Sequence, residues 1–288
     1  MTISHRASTG ITARTTQATH AFTLPTGHTT NDLLIAWLGG KPYTVTDTLN
    51  DSTYSATATG ANGTNATTAN GAGSVQAAGW YKRHSGTESA PSVTMATATP
   101  NPMIQAMSAY QCASGKVWVV QTAAGSDSAS TGTTFSAASD TTLTLAVGDV
   151  LSVMMVHNDD SSSSSAWALS APGITFSTVT QRLTGTLTTA SGGDGRMYVV
   201  DAEVTSGSGT VTVTATATTG TNDSDGEALF VVMREVSGVL LGQAGPVGVD
   251  DLVHSVSVQP DGKVVVGGAF EYARGVLQEG IARLNVDG

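Results

Sequence analysis

The sequence predicts an all-β protein, in which a jelly-roll-like antiparallel β-sandwich is followed by a small three-stranded β unit. Threonine, valine, alanine and glycine are abundant among the 288 residues, and β-branched side chains pack well on pleated sheets. Residues 210–218 alternate threonine with valine or alanine, which is the period of a β-strand. Tracts rich in glycine, asparagine and serine separate many short apolar segments, a pattern typical of sandwiches and jelly rolls.

Apolar or alternating segments predict the individual strands in chain order. Leu33–Leu38 and Val150–Val156 are apolar at nearly every position, so we expect each to lie at the centre of its sheet. Residues 142–146 alternate threonine and leucine and predict a short, half-buried strand. Together with 142–146, the segments that predict strands in this part of the chain are 21–24, 32–38, 74–83, 92–97, 104–110, 116–121, 150–157, 174–179, 196–204, 210–218 and 228–236.

The composition argues against several classes of function. Lys and Arg number 12 against 22 Asp and Glu, a net charge of −10, so we expect no nucleic-acid partner. The most apolar run, residues 145–157, is shorter than the roughly 20 residues of a membrane span, so we expect no membrane insertion. The first residues lack a cationic start and an apolar stretch, so we expect no secretory signal. The single cysteine, Cys112, excludes an internal disulfide and is predicted to be a buried small hydrophobic residue.

The composition changes near residue 237, where threonine disappears from the sequence. A segment rich in glycine, with one proline, follows before apolar strands resume. We therefore predict three parts: a β-sandwich domain at 1–237, a Gly/Pro linker at 238–248 and a separate β unit at 249–288.

The last part of the chain predicts three strands. Alternation and a Pro-Asp-Gly turn predict a hairpin, after which a third strand follows; the strands are 253–258, 264–266 and 281–285, and the turn is 260–262. Residues 256–270 and 281–288 closely resemble one copy of the delta-60 repeat, a β-propeller-type repeat of bacterial and phage surface proteins. A propeller needs several blades, commonly about 4–8. The resemblance implies that the chain continues beyond Gly288 or that single units from several subunits meet.

Three short motifs lie in the predicted sandwich. Asn31–Ala36 begins an apolar strand with Asn-Asp-Leu-Leu, Gly79–Glu88 is an aromatic and basic strand that ends in Gly-Thr-Glu, and Val147–Val153 is a second strand that begins with Gly-Asp. With these motifs, residues 1–237 resemble a β-sandwich domain of phage tail and other virion proteins. Together the two resemblances imply a virion structural protein, a phage minor tail or tail-fibre component on the tail or exterior surface. Such a protein is expected to form a homo-oligomer, by class a trimer, to bind other tail or capsid proteins, and to mediate assembly or host attachment.

Aromatic side chains provide the candidate ligand site. Trp80, Tyr81 and Trp167 lie beside polar segments, and aromatic faces stack on sugar rings. The alternative function is therefore a module that binds a host-surface glycan. Trp37 and Trp118 lie in apolar strands and are predicted to be core residues.

No catalytic pattern stands out, so we predict that the protein is not an enzyme and uses no cofactor. A Gly-x-Ser-x-Gly elbow is absent from the sequence, and the six histidines lie in unrelated contexts. His84 is predicted to lie at a surface strand end and His157 in a solvated loop. Asp201 and Glu203 share one strand face, the spacing of a glycosidase pair, but the preferred interpretation is an exposed acidic pair. A polysaccharide depolymerase is accordingly the least favoured function.

Residues 221–227 partly imitate a calcium loop. Asp223 and Asp225 supply oxygen ligands before a glycine, but Val232 stands where the bidentate glutamate of such a loop belongs. A polar hairpin turn is the preferred interpretation. The sequence therefore predicts no metal site. The alternative is a calcium site, for which Asp223 and Asp225 are the candidate ligands.

Overall fold

The protein is all-β in the residues that the computed structural model describes, which are 3–14, 19–40, 49–62, 75–94, 103–127, 133–157, 165–187, 195–218, 226–237, 253–259, 263–269, 272–273, 276–277 and 280–284. These residues form 25 strands and no helix, and the paired strands run antiparallel. The predicted fold class is confirmed. In this part of the chain, no helix has the length and apolarity that a membrane crossing needs.

The chain divides into two compact units. The first comprises Met1–Ser114 and Trp118–Glu235, and the second comprises Gly115–Val117 and Val236–Gly288. The predicted linker at 238–248 lies outside the described residues.

The strands are β1 Ser4–Ser8, β2 Thr12–Arg14, β3 Thr19–Ala21, β4 Leu33–Gly40, β5 Ser55–Ala56, β6 Gly60–Asn62, β7 Val75–Arg83, β8 Ser92–Thr94, β9 Met103–Gln111, β10 Lys116–Asp127, β11 Thr134–Ala138, β12 Leu143–Leu145, β13 Val150–His157, β14 Ser165–Ser170, β15 Thr175–Phe176, β16 Thr180–Leu187, β17 Gly195–Ser206, β18 Gly209–Val211, β19 Thr214–Thr218, β20 Gly226–Ser237, β21 Val253–Val258, β22 Val264–Gly268, β23 Tyr272–Ala273, β24 Val276–Leu277 and β25 Ile281–Leu284.

The first unit contains two main sheets that pack face to face. One sheet has the order β1-β9-β4-β7-β5, with β2 beside β9 and β6 beside β7. The other has the order β10-β20-β13-β17-β15, with β16 beside β17. Many neighbours in these sheets, such as β1 and β9 or β10 and β20, are distant in sequence, while β6–β7 and β16–β17 are consecutive; such long connections between antiparallel strands fit a jelly-roll-like sandwich. The apolar strands β4 and β13 lie inside their sheets with every residue buried, as predicted.

The main core lies between these two sheets. Alternate residues of β4, among them Ile35 and Trp37, face alternate residues of β13 and β20, such as Met154 and Val231. Trp37 is fully buried, as predicted, and its indole Nε1 donates a hydrogen bond to Ser108 Oγ at 3.2 Å. Removal of this apolar surface from water is the main source of stability for the sandwich.

Additional small layers cover the outer faces of both main sheets. The β3–β8 pair brings Phe22 and Val93 onto the first sheet. The three-stranded sheet β11-β19-β14 and the β12–β18 pair cover the second sheet with residues such as Phe135 and Leu143. The sequence predicts strands at 92–97, 142–146 and 210–218, but it does not predict that they form separate layers, because alternation shows only that one face of a strand is buried. Each main sheet is therefore buried on two faces.

The alternating segment 210–218 forms two strands rather than the single strand that its period predicts. Its first part is β18, which pairs with β12, and its second part is β19, which pairs with β11 and β14. Between them, Val213 bonds to Ser139 through two hydrogen bonds: Val213 N donates to Ser139 Oγ at 3.1 Å, and Ser139 N donates to Val213 O at 2.8 Å. These bonds replace the ladder at the break, so the two halves join different sheets.

The second unit contains the three-stranded sheet β21-β22-β25 and the β23–β24 pair. Val256 pairs with Val266, which pairs with Ala282 on the third strand. Val266 and Ala282 are buried and form a small apolar cluster with Val253 and Val264. The predicted three-stranded unit is confirmed, while its predicted turn at 260–262 lies outside the described residues.

Candidate functional site

The three aromatic residues predicted to bind glycan lie in different parts of the first unit. Trp80 is buried against Phe22, with ring centroids 6.4 Å apart. Tyr81 follows on the opposite face of β7 and packs against the core between the main sheets. Trp167 lies on β14, with its ring 5.9 Å from that of Tyr198. The structure does not bring these rings together, and their role in glycan binding stays a prediction.

The two histidines expected in solvent are buried. The ring of His84 lies 4.7 Å from the ring of His28, and its Nδ1 lies 3.5 Å from the Glu88 carboxylate. His157 ends β13 and stacks on the ring of Tyr198 at 5.7 Å. The predictions of a surface strand end and of a solvated loop are therefore wrong, because segments distant in sequence cover both rings.

The remaining candidate ligands do not form a site in the described structure. Cys112 is partly buried, its Sγ accepts a hydrogen bond from Asn31 Nδ2 at 3.1 Å, and burial raises the pKa of its thiol. Asp223 and Asp225 lie outside the described residues. Among the residues that are described, no group of three or more His, Cys, Asp or Glu side chains could hold a metal ion.

Asp201 and Glu203 line a cleft of about 220 Å³ at one end of the sandwich. On β17, the face toward the main core is apolar at Met197 and Val199, and it becomes polar at these two carboxylates. The other walls come from residues 3–5, from β13 and from the chain that leads into β16. The cleft therefore opens where the apolar core between the two main sheets gives way to polar side chains.

An ion pair lies in the wall of this cleft. Arg182 Nε donates to Asp201 Oδ2 at 2.7 Å, and Asp201 is only 4% exposed. The prediction of an exposed acidic pair is thus wrong for Asp201, because Arg182 of the neighbouring strand β16 covers it. Next to Asp201 on β13 is Ser152, whose Oγ accepts a hydrogen bond from the Tyr110 hydroxyl at 3.0 Å. Burial, together with the negative charge of Asp201, raises the pKa of Tyr110.

His5 forms part of the opposite wall. Its Nε2 is hydrogen-bonded to Ser8 Oγ at 2.7 Å, and its ring meets the ring of Tyr110 edge-on at 5.3 Å. Burial lowers the pKa of His5 from 6.5, and the positive charge of Arg182 lowers it further, against the opposite effect of Asp201. The imidazole is therefore neutral at neutral pH.

Backbone bonds hold the loop that forms the rim of the cleft. Glu203 N donates to Ser177 Oγ at 2.9 Å, and Ser177 N donates to Glu203 O at 2.8 Å. The hydroxyl groups of Thr178 and Thr180 follow on the same segment, and both residues are exposed. The cleft thus combines one guanidinium, two carboxylates and several hydroxyls, an arrangement that offers both donors and acceptors to a polar ligand.

A second surface feature lies in the C-terminal unit. Val256 and Val258 of β21 are 53% and 70% exposed, on the face that also carries the buried Val266. Ile281 of β25 is 66% exposed and lies on the other face, because it pairs with Gly267. Both faces of this small sheet therefore present apolar side chains to solvent.

Fold and site together define an all-β sandwich protein that carries a small propeller-type strand unit. Residues 259–288 match a family model described as a "Domain of unknown function (DUF5122) beta-propeller". The matched segment lies within the second unit and includes β22 and β25. This match agrees with the resemblance of the unit to one propeller-type repeat. Neither a curated protein nor a solved structure matches the chain.

Proposed function

We propose that this chain is a non-enzymatic structural protein of a phage particle, a minor tail or tail-fibre component that acts by assembly and attachment. The virion assignment is supported by the resemblance of the Asn31–Ala36, Gly79–Glu88 and Val147–Val153 motifs to those of virion sandwich domains. A charged fraction of only 12% fits extensive subunit contacts, where charged groups are costly to desolvate.

The observation that carries the proposal is the exposed apolar sheet of the second unit. A three-stranded sheet of this size needs further packing to be stable. Propeller blades obtain that packing because neighbouring sheets lie face to face around an axis. Val256 and Val258 on one face, with Ile281 on the other, are placed as a blade between two neighbours requires. We propose that further units of the same kind cover these faces, and that copies of this chain supply them.

Oligomeric state tests the assembly part of this proposal. In the double variant Val256→Ser with Val258→Ser, the mass measured by light scattering should fall from that of an oligomer to that of a monomer. Val147→Ser is the matched control, because Val147 is 63% exposed but belongs to the first unit. A monomeric wild-type chain, or an oligomer that survives the double change, would contradict the proposal.

The particle itself tests the virion assignment. Antibodies raised against the whole chain should label purified phage particles in immunogold electron microscopy, at the tail or the exterior surface. Mass spectrometry of the same particles should detect peptides of the chain at a constant ratio to the major capsid protein. Purified particles that contain none of these peptides would overturn the assignment.

The depolymerase alternative is tested by its product. Cleavage of a glycosidic bond creates a new reducing end, which a colorimetric assay detects. We expect that incubation of the chain with capsular and cell-wall polysaccharides of the host releases no new reducing ends. Release that is lost in Glu203→Gln and retained in Glu235→Gln would replace the structural proposal with an enzymatic one.

A further inference from the structure

We propose that the cleft between β1 and β16–β17 is a binding site for one neutral sugar residue of a larger glycan. This inference concerns the first unit alone, and it does not depend on the assembly proposed for the second. It also places the sugar site away from Trp80, Tyr81 and Trp167. The argument uses the size of the cleft, its charge and the fixed positions of its polar groups.

The size of the cleft fits a single ring. Its volume is about 220 Å³, below the roughly 300–1,000 Å³ of sites that enclose drug-sized ligands. Ile3 and Val150 contribute apolar surface to the same cleft, next to its polar groups. A pyranose has the matching character, since its C–H groups suit an apolar wall and its hydroxyls suit a polar one. A longer saccharide would have to extend from the open side into solvent.

The charge of the cleft selects against anions. Arg182 is the one cationic side chain in the lining, whereas Asp201 and Glu203 are two anionic ones. His5 adds no charge at neutral pH, because burial lowers its pKa. The cleft is therefore net negative, and the whole chain carries −10. A phosphate, a carboxylate or an acidic sugar would meet repulsion, so a neutral polyol is the class that fits.

The polar groups are held in place before any ligand arrives. The bond from Arg182 Nε to Asp201 Oδ2 fixes both side chains, and the Nη groups of the arginine are outside this bond. The two backbone–Ser177 bonds hold the rim loop against Glu203. Fixed charged donors and acceptors form the stronger hydrogen bonds to neutral hydroxyls, and pre-organisation lowers the entropic cost of binding. Adjacent hydroxyls of a sugar can thus bond to the guanidinium and a carboxylate at once.

Binding to the whole chain is measured by saturation-transfer difference NMR. The neutral probes are glucose, galactose and N-acetylglucosamine, and the anionic probes are glucuronate and galacturonate, all of which carry the C–H groups that this measurement detects. Each is titrated to about 50 mM, well above the millimolar dissociation constants of weak ligands. We expect at least one neutral sugar to bind and the anionic probes to bind more weakly. Tighter binding of an anion, or no binding of any neutral sugar, would overturn the proposal.

Variants then locate the bound sugar. Asp201→Asn and Thr180→Val should each weaken binding, by about tenfold for the loss of the charged acceptor and a few fold for the loss of the hydroxyl. Thr184→Val is the matched control: it lies on the same strand but pairs with Tyr198, outside the lining of the cleft. Thr180 is exposed, so its replacement leaves the fold intact even if the aspartate variant does not fold. Sugar binding that is equal in wild type, Thr180→Val and Thr184→Val would refute the location.

Discussion

Replacing Glu227 with glutamine should remove a loss of stability that the first unit undergoes as the pH rises. Glu227 lies on β20 and is fully buried. Its Oε1 accepts a hydrogen bond from Ser126 Oγ, while its Oε2 has no hydrogen-bond partner within the described part of the chain. Burial raises the pKa of Glu227 from 4.5 to about 7; the Ser126 bond opposes this rise, and the charge of Asp140 adds to it.

The sign and size of the effect follow from this pKa. Between pH 4.5 and about 7 the folded state keeps a proton that the unfolded chain has lost, so the free energy of unfolding falls as pH rises. A pKa difference of one corresponds to about 1.4 kcal/mol, so this rise corresponds to about 3 kcal/mol. The contribution is fully present below pH 4.5 and is lost once the pH passes about 7. Glutamine stays neutral throughout this range.

Urea unfolding followed by tryptophan fluorescence measures the effect, because all four tryptophans lie in the first unit. From pH 4.5 to about pH 8, the stability of Glu227→Gln relative to wild type should rise by about 3 kcal/mol. Ser126→Ala should extend this fall in stability to higher pH and make its total larger, because the change removes the bond that lowers the pKa of Glu227. A stability difference between variant and wild type that is constant over this range would refute the reasoning.

Two further predictions concern the first unit. The pKa of Glu88 lies below 4.5, because hydrogen bonds from Lys82 and Ser85 to its carboxylate outweigh the opposite effect of burial. The stability that the charged carboxylate contributes is therefore present above pH 4.5 and is lost as the pH falls below this value. The Tm deficit of Glu88→Gln should therefore shrink from neutral pH toward about pH 2, and an unchanged deficit would contradict this account. Gly125→Ala should cost about 1–3 kcal/mol in urea unfolding, since a Cβ there would lie 2.2 Å from the Ala138 carbonyl oxygen. Gly10→Ala, with no atom within 4 Å, is the control, and equal stability of the two variants would contradict the packing argument.

The sequence predicts a strand well where the pattern of apolar residues reflects which faces of that strand are buried. Leu33–Leu38 and Val150–Val156 are apolar on both faces because other strands and layers surround them, so pattern alone placed them at sheet centres. Residues 210–218 alternate polar and apolar side chains throughout, yet the structure divides them into the two strands β18 and β19. The break depends on Ser139, which is distant in sequence, and periodicity contains no information about such a partner.

The cleft also contains some residues whose proximity the sequence predicts and others whose proximity it does not. Spacing alone placed Asp201 and Glu203 on one face of a strand, and this is how the structure has them. The same spacing does not reveal Arg182 or His5, because these residues come from a neighbouring strand and from the other main sheet. The sequence does not predict the burial of His84 for a related reason: the residues that cover its ring, such as His28, lie in another segment.

The two central strands, β4 and β13, are sheltered from four directions. Each has a hydrogen-bonded neighbour on both edges, and each has a packed layer above and below. Their amide hydrogens can exchange with solvent only through openings that dismantle a sheet, which are the rarest motions of such a domain. Because proteolysis also requires an opening that exposes the backbone, we expect the middle of the sandwich to be the part of this domain that a protease cuts last.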